Sequence, residues 1–278
     1  MKCTIRLAVF AGMTAAAIWP ASATNSWAGY HWASNGTGVA LKVNTSISSV
    51  WDRSVTGAIA DWDSSDKLVL TRAASSATPK RCNPIAGQIL LCNTTYGQTG
   101  WLGIASVWLS NGHISQATTK LNDTYFNTAS YNSPEWRALV ACQEIGHDFG
   151  LDHQDVAFAN VNLGTCMDYT NAPLGGLVGG FDYGRANITP NAHDYDELRI
   201  IYSHPDAGFG ATNFGIRQFG KPLPDSVVDE EPGGDDPADW GQVTHRDGQG
   251  RPDQFIKTVG PGRKMVTSVF WAIGEGPQ

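Results

Sequence analysis

Basic residues are scarce in this sequence. The chain of 278 residues contains 19 Lys and Arg against 26 Asp and Glu, which gives a formal net charge of −7. Proteins that bind nucleic acid concentrate lysine and arginine on one face. The composition therefore argues against a nucleic-acid partner, and the acidic balance favours solubility.

The sequence also lacks an apolar run long enough to cross a bilayer. The longest candidate, residues 7–18, is shorter than the roughly 20 residues that a spanning helix needs. Lys2 and Arg6 precede this run, and the small residues 21–23 follow it, which is the order of a secretory signal peptide. We therefore expect residues 1–23 to be removed and the protein to be secreted. A retained amphipathic anchor is the alternative.

Cysteine is rare, and its count is informative. There are five cysteines, and Cys3 lies within the expected signal peptide. The remaining four form an even set in an exported chain, which indicates two disulfides. Four cysteines permit three pairings, and the sequence alone does not choose among them.

One stretch, ACQEIGHDFGLDH, concentrates residues that can bind a metal ion. On a helix, Gln143 and His147 lie one turn apart, and Glu144 is a near neighbour of His147. Gly150 is the natural residue for a left-handed helix stop. A chain that reverses there brings His153 back towards the helix. Two imidazoles, one carboxylate and one amide then converge on a single point.

This stretch resembles the long zinc motif of the metzincin metalloproteases, H-E-x-x-H-x-x-G-x-x-H, with Gln143 in place of the first histidine. The segment Cys166-Met167-Asp168-Tyr169 resembles the Met-turn of the same family. The Phe-Gly-Leu context of the motif is similar to the matrixin branch. The resemblance covers roughly residues 27–205.

The resemblance implies a role for each residue of the motif. His147 and His153 would be zinc ligands, Gln143 would occupy the third ligand position, and Glu144 would be the catalytic general base. Zinc lowers the pKa of a bound water to about 7, and a nearby carboxylate then takes the proton and passes it to the leaving amine. Met167 would pack beneath the metal without binding it. A structural calcium ion is a further cofactor that the sequence does not locate.

Gln143 leaves three alternatives open, because an amide oxygen is a poorer zinc ligand than an imidazole. It ligates the metal directly, it hydrogen-bonds a water that completes the coordination, or the site binds zinc too weakly to work. Asp152 is a chemically sound substitute ligand. His31, His113 and His193 would qualify only if the fold brings them close, and a surface or structural role is commoner for such histidines.

The resemblance also bears on the cysteines. We pair Cys82 with Cys92, which closes a short loop between two strand-like segments. We pair Cys142 with Cys166, which would join the active-site helix to the Met-turn.

The predicted elements are those of an α+β protein. Apolar spacings of three and four predict a helix over residues 46–62, Ser133-Pro134-Glu135 predicts the start of a helix that stops at Gly150, and Thr189-Pro190 begins another. Strands are expected at residues 39–43, 68–70, 89–91, 101–109 and 116–121.

The resemblance implies a metzincin, or zincin-like, domain: a twisted mixed sheet, a backing helix, an active-site helix, a Met-turn and a C-terminal helix. In that family an edge strand pairs with the substrate, and we expect residues 109–114 to be this edge, with a buried strand or loop as the alternative.

Composition changes mark the expected domains. The Gly-rich residues 171–180 either wall a substrate pocket, as in matrixin-like enzymes, or form a plain connection. Residues 229–237 are acidic and rich in Pro and Gly, which indicates a linker. We expect a signal peptide at 1–23, a catalytic domain at 24–205, and an acidic linker with a small β appendage at 206–278.

The sequence thus predicts a secreted, monomeric zinc endopeptidase that hydrolyses protein or peptide substrates and has no membrane span. The alternative is a catalytically inactive, secreted binding protein on the same scaffold, with a weakened or absent zinc site.

Overall fold

The computed structural model of the protein describes residues 25–206 and 233–277. The expected signal peptide and most of the expected acidic linker lie outside these residues. No helix in the described part of the chain is long and apolar enough to span a membrane.

A large mixed sheet forms the centre of the structure. The strands of the described residues are β1 (His31–Trp32), β2 (Val39–Ser46), β3 (Leu68–Ala74), β4 (Ile89–Thr94), β5 (Trp101–Ser110), β6 (His113–Asn122), β7 (Leu177–Val178), β8 (Phe181–Asp182), β9 (Gln242–Arg246), β10 (Pro252–Gly260) and β11 (Arg263–Trp271). The strand order in the sheet is β3-β2-β4-β6-β5-β11-β10-β9, with the short β1 beside β6. A separate hairpin of β7 and β8 lies at the end of the Gly-rich segment.

Strand direction changes within the sheet. β3, β2, β4 and β6 run parallel to one another, whereas β5 runs antiparallel to both β6 and β11. All ten residues of β5 are buried, because strands pair with it on both sides and helices cover one face. The protein is therefore a mixed α/β structure with one large mixed sheet and few helices.

The α-helices of the described residues are α1 (Asp52–Asp63), α2 (Asp123–Phe126), α3 (Pro134–His147) and α4 (Ala192–Ile201). α1, α3 and α4 lie close to the positions that the sequence predicts, whereas the short α2 was not predicted. Ser133 caps α3 by accepting a hydrogen bond from the Trp136 amide at 3.3 Å, and Pro134 occupies the first turn, where its missing N–H costs nothing. The indole N–H of Trp62 donates to the Cys142 carbonyl at 2.9 Å and so joins α1 to α3.

α3 is buried on nearly all sides. Every residue from Leu139 to His147 is buried, including the polar Gln143 and Glu144. A helix buried all round needs apolar residues on most of its surface, so the polar residues kept on α3 stand out as candidates for a function.

The expected substrate edge at residues 109–114 is wrong. These residues contain the turn between β5 and β6, where Asn111 and Gly112 have positive φ angles of 51° and 88°. β11 pairs with β5 over its length, from Arg263 opposite Ser110 to Trp271 opposite Trp101. The expected C-terminal β appendage is therefore part of the main sheet. Pairing between strands so far apart in sequence is not visible in either strand's own pattern.

Two disulfides join the residues that were paired from the sequence. Cys82–Cys92 ties a loop to β4 with a Cα–Cα separation of 6.0 Å. Cys142–Cys166 ties α3 to the segment that resembles the Met-turn, with a Cα–Cα separation of 5.9 Å. Disulfides persist in oxidising compartments, so both bonds are consistent with an extracellular protein.

Two helical glycines should respond in opposite ways to alanine. A Cβ at Gly146 in α3 would lie 2.6 Å from the Met167 sulfur and 2.7 Å from a ring carbon of Trp62, whereas a Cβ at the exposed Gly57 in α1 meets nothing within 4 Å. Overpacking costs about 1–3 kcal/mol, and an alanine in an exposed helix gains about 1 kcal/mol over glycine. We expect Gly146→Ala to lower, and Gly57→Ala to raise, the midpoint of thermal unfolding measured by circular dichroism. Equal shifts would contradict the close packing of α3 on Met167.

Candidate active site

The chain reverses sharply after α3, and Gly150 makes the reversal possible. Gly150 has φ of +94°, and its amide donates to the His147 carbonyl at 2.9 Å. A Cβ at this position would collide with the Tyr30 carbonyl oxygen. Conformation and space both require glycine here, and the reversal returns His153 to the end of α3.

The two histidines of the motif face each other. The Nε2 atoms of His147 and His153 are 3.1 Å apart, and the rings meet edge-to-face. His147 Nδ1 lies 2.8 Å from the Leu151 carbonyl oxygen, which can only accept, so Nδ1 carries the proton and Nε2 presents a lone pair. Two nitrogens bound to a tetrahedral zinc at its usual bond length lie about 3.3 Å apart. The separation of the two Nε2 atoms is therefore close to that of two nitrogens on one zinc ion.

Burial sets the charge of His147. Trp27 stacks on its ring with centroids 4.9 Å apart and planes within 10°. Burial, followed by the proximity of His153, lowers the pKa of His147 to about 3. The ring is thus neutral at physiological pH, as a metal ligand must be.

Glu144 is a fully buried carboxyl one helical turn before His147. It faces Gly103 of β5, where a Cβ would lie 2.8 Å from a Glu144 oxygen. Neither carboxyl oxygen has a hydrogen bond of normal geometry within the described part of the chain. Burial and the nearby Asp148 carboxylate raise the pKa of Glu144 well above its usual value, and the backbone of Ala105 acts in the opposite direction. A carboxyl tuned in this way suits proton transfer.

Gln143 is anchored through its amide nitrogen. This nitrogen donates to the Cys166 carbonyl at 2.7 Å, while the buried side-chain oxygen has no partner among the described residues. A buried polar atom without a partner is costly, so the oxygen is available to a ligand or a water. Gln143 is thus fixed against the segment that resembles the Met-turn.

Tyr169 packs against His153, and Met167 packs against the helix that carries His147. The sulfur of the fully buried Met167 lies against Gly146 of α3. The Tyr169 ring packs on His153 with centroids 4.2 Å apart, and its hydroxyl donates to the Val269 carbonyl at 3.2 Å. Tyr169 thus links His153 to the C-terminal hairpin, which is formed by β10 and β11.

The structure places the other ligand candidates elsewhere. Asp152 accepts a hydrogen bond from the His153 amide at 2.8 Å and lies 3.5 Å from His153 Nδ1, the nitrogen that faces away from His147. Burial raises the pKa of Asp152, but its contacts with His153 outweigh this and lower the pKa to about 2. His31 and His113 lie together in a different cluster, and His193 is on α4. Within the described residues, no third His, Cys, Asp or Glu side chain completes a metal-binding group with His147 and His153.

Two residues of the C-terminal hairpin reach the site and were missed by sequence reasoning. The Ser268 hydroxyl of β11 donates to His147 Nε2 at 3.2 Å. Asp253 of β10 lies 4.0 Å from His153 Nδ1 and accepts a hydrogen bond from His245 at 2.7 Å. The composition of residues 265–271 is typical of a strand, but nothing in it specifies pairing with β5.

No protein-family model and no curated protein matches this sequence. Among solved structures, one similar chain is high choriolytic enzyme 1 (HCE-1), a hatching enzyme zinc-protease from Oryzias latipes (medaka fish). The match has 11% sequence identity and a TM-score of 0.34, and it covers 69% of this chain and 100% of the medaka chain. A similarity of this degree carries no argument about fold or function, so any function must be inferred from the site itself.

The free oxygen of Gln143 predicts the effect of restoring a histidine. We expect Gln143→His to tighten zinc binding by at least about tenfold, because imidazole is a better zinc ligand than an amide and changes around a metal site typically alter affinity 10–100-fold. Competition with a chromogenic chelator measures this affinity. Gln249→His, at an exposed position, is the control for adding a histidine. Unchanged affinity in Gln143→His would contradict the placement of this side chain beside the metal.

Proposed function

We propose that the protein is a secreted, zinc-dependent endopeptidase of the matrixin-like metzincin type. In this proposal His147 and His153 hold the metal, Gln143 takes the third position, and Glu144 is the general base. The observation that carries the proposal is the distance between the two histidine Nε2 atoms, which lie 3.1 Å apart at the end of α3. Glu144 is a buried residue of the same helix.

The side chains of the site have the properties that the protein must supply for zinc-dependent peptide hydrolysis. Bound zinc would supply a water with a pKa near 7. The hydrogen bond to Leu151 keeps Nε2 of His147 unprotonated and aimed at His153. Glu144, whose pKa burial raises, can take a proton from that water and return it to the leaving amine. Trp27 covers the outer face of His147 and limits the access of bulk water.

The position of the substrate follows from β5. An extended peptide can bind by adding a strand to a sheet, and β5 is the strand that faces Glu144. In this structure β11 takes that place, with Ser268 opposite Ala105. Ser268 also bonds to the nitrogen that would bind zinc. The proposed enzyme is therefore held closed by its own C-terminal hairpin, and a substrate must displace β11.

A non-catalytic binding protein on the same scaffold is the second candidate. Two observations favour it: β11 already fills the side of β5, and the described residues offer His147 and His153 no third imidazole or carboxylate. The two candidates differ in zinc content and in their dependence on Glu144.

Replacement of Glu144 tests the peptidase. General acid–base catalysis contributes about 10²–10⁴-fold to rate, so Glu144→Gln is expected to lower kcat/KM on casein at least about 100-fold without loss of zinc. Glu135→Gln, at the start of the same helix, is the matched control and should retain activity. If the wild type holds no zinc, or Glu144→Gln leaves hydrolysis unchanged, the binding protein is the better account.

A reversible lock tests closure by β11. Ser106 and Thr267 are opposite each other in β5 and β11, with their hydroxyls 3.0 Å apart. They lie on the sheet face away from Glu144, because neighbouring residues in a strand alternate. Paired residues in antiparallel strands have Cα separations of about 4.5–5.5 Å, which a disulfide accepts.

We expect the oxidised Ser106→Cys/Thr267→Cys variant to hydrolyse casein much more slowly than the same protein after reduction. Mild reductant should have no such effect on the wild type, and mass spectrometry shows whether the engineered bond has formed. Equal rates in the oxidised and reduced variant would mean that β11 does not close the site.

A further inference from the structure

A second cluster of histidines lies on other elements of the fold. His31 on β1 is the register partner of His113, the first residue of β6. Asp206, beyond α4, lies against both, with its oxygens 3.3 Å from His31 Nε2 and 3.1 Å from His113 Nε2. His204 Nε2 is 3.4 Å from the same carboxylate. Three imidazoles therefore surround one carboxylate.

These separations match the geometry of a bound ion. Ligand atoms on a tetrahedral zinc with bonds of about 2.0–2.1 Å lie about 3.3 Å apart. The ligand atoms of His31, His113 and Asp206 are all within 4.8 Å of one another, and among the described residues only this set forms such a group. His204 contacts the Asp206 carboxylate but lies outside this group.

The orientation of the groups also points to a ligand. His31 Nδ1 donates to the Gly29 carbonyl oxygen at 2.6 Å, which holds the ring with Nε2 directed at Asp206. The Ser34 amide donates to Oδ2 of Asp206 at 2.6 Å and fixes the carboxylate. Backbone groups thus orient two of the three side chains, which is how metal ligands are commonly held in proteins.

The cluster is also largely shielded from water. The side chains of His31 and Asp206 are only 8% and 6% exposed, so the attraction between these groups and a bound cation would be weakly screened.

We propose that His31, His113 and Asp206 bind a divalent transition-metal ion of the zinc class. Such an ion joins the N-terminal segment, the turn between β5 and β6, and the chain beyond α4. His204 is the exposed histidine beside this set, with 54% of its side chain accessible, and gives the ion a route of entry.

The ion would also stabilise the neighbourhood of the proposed active site. Trp27, in the segment that leads to His31, stacks on His147, and its amide donates to the Gly150 carbonyl at 2.9 Å. The Tyr30 carbonyl lies against Gly150. Anchoring His31 therefore fixes the segment that supports the reversal at Gly150. The second site does not depend on the protein being a peptidase.

The test uses the full chain carrying His153→Ala, which removes a ligand of the proposed active site. After chelation and reloading with zinc alone, we expect this protein to retain one zinc per chain by inductively coupled plasma mass spectrometry. Adding His113→Gln or Asp206→Asn should weaken zinc binding at least tenfold. The same changes should abolish the rise in thermal midpoint that zinc produces through binding to the native state.

The matched control is His153→Ala with His193→Gln, which replaces a histidine of α4 that belongs to neither cluster and should keep its zinc. Near-UV circular dichroism verifies the fold of each variant, and Asp206→Asn serves where His113→Gln fails to fold. The proposal is overturned if the His153→Ala protein binds no zinc, in which case the cluster is an ion-pair network, or if both variants keep zinc as well as the control does. Equal zinc content in the wild type and His153→Ala would count against the proposed active site alone.

Discussion

The reversal of the chain at Gly150 is the constraint on which the proposed site depends. It brings His153 to 3.1 Å from His147 and leaves no room for a side chain beside Tyr30. The Cys142–Cys166 disulfide and the contact of Met167 with Gly146 hold the other side of the helix end. A short helix and a tight turn therefore fix the two imidazoles in one orientation, which is the preorganisation that the proposed metal site would need.

Local patterns in the sequence were enough to find this part of the molecule. The cap at Ser133, the glycine stop and the spacing of Glu144, His147 and His153 are all properties of neighbouring residues, and the structure has α3 and its reversal where they indicate. The count of cysteines allowed three pairings, and the two chosen on loop length and on the resemblance to the Met-turn are those in the structure. Their roles in catalysis and metal binding remain proposals that the geometry supports.

Long-range pairing was beyond the reach of the sequence. β11 pairs with β5 although the two strands lie far apart in the sequence. Neither strand's own pattern therefore shows that the edge of β5 is covered, or that Ser268 lies beside His147. The same reason applies to the second cluster. From the sequence, His31 and His113 are candidates for the third ligand position of the proposed active site. Parallel pairing of β1 with β6 instead places them beside Asp206.

The two features that the sequence hid change the view of how this protein would work. A hairpin lies where a substrate strand would bind, and its Ser268 occupies a lone pair that zinc would use. A second cluster of candidate metal ligands, formed by His31, His113 and Asp206, anchors the N-terminal segment that packs against the proposed active site. Because of these two features, the proposed site would be controlled by parts of the chain outside the zinc-binding motif.

The central claim is that His147 and His153 share one metal ion, and anomalous diffraction at the zinc edge from crystals of the zinc-loaded protein tests it most directly. We predict an anomalous peak about 2.0–2.1 Å from Nε2 of both rings. An empty space between these rings, in crystals whose only zinc peak lies beside Asp206, would contradict the account.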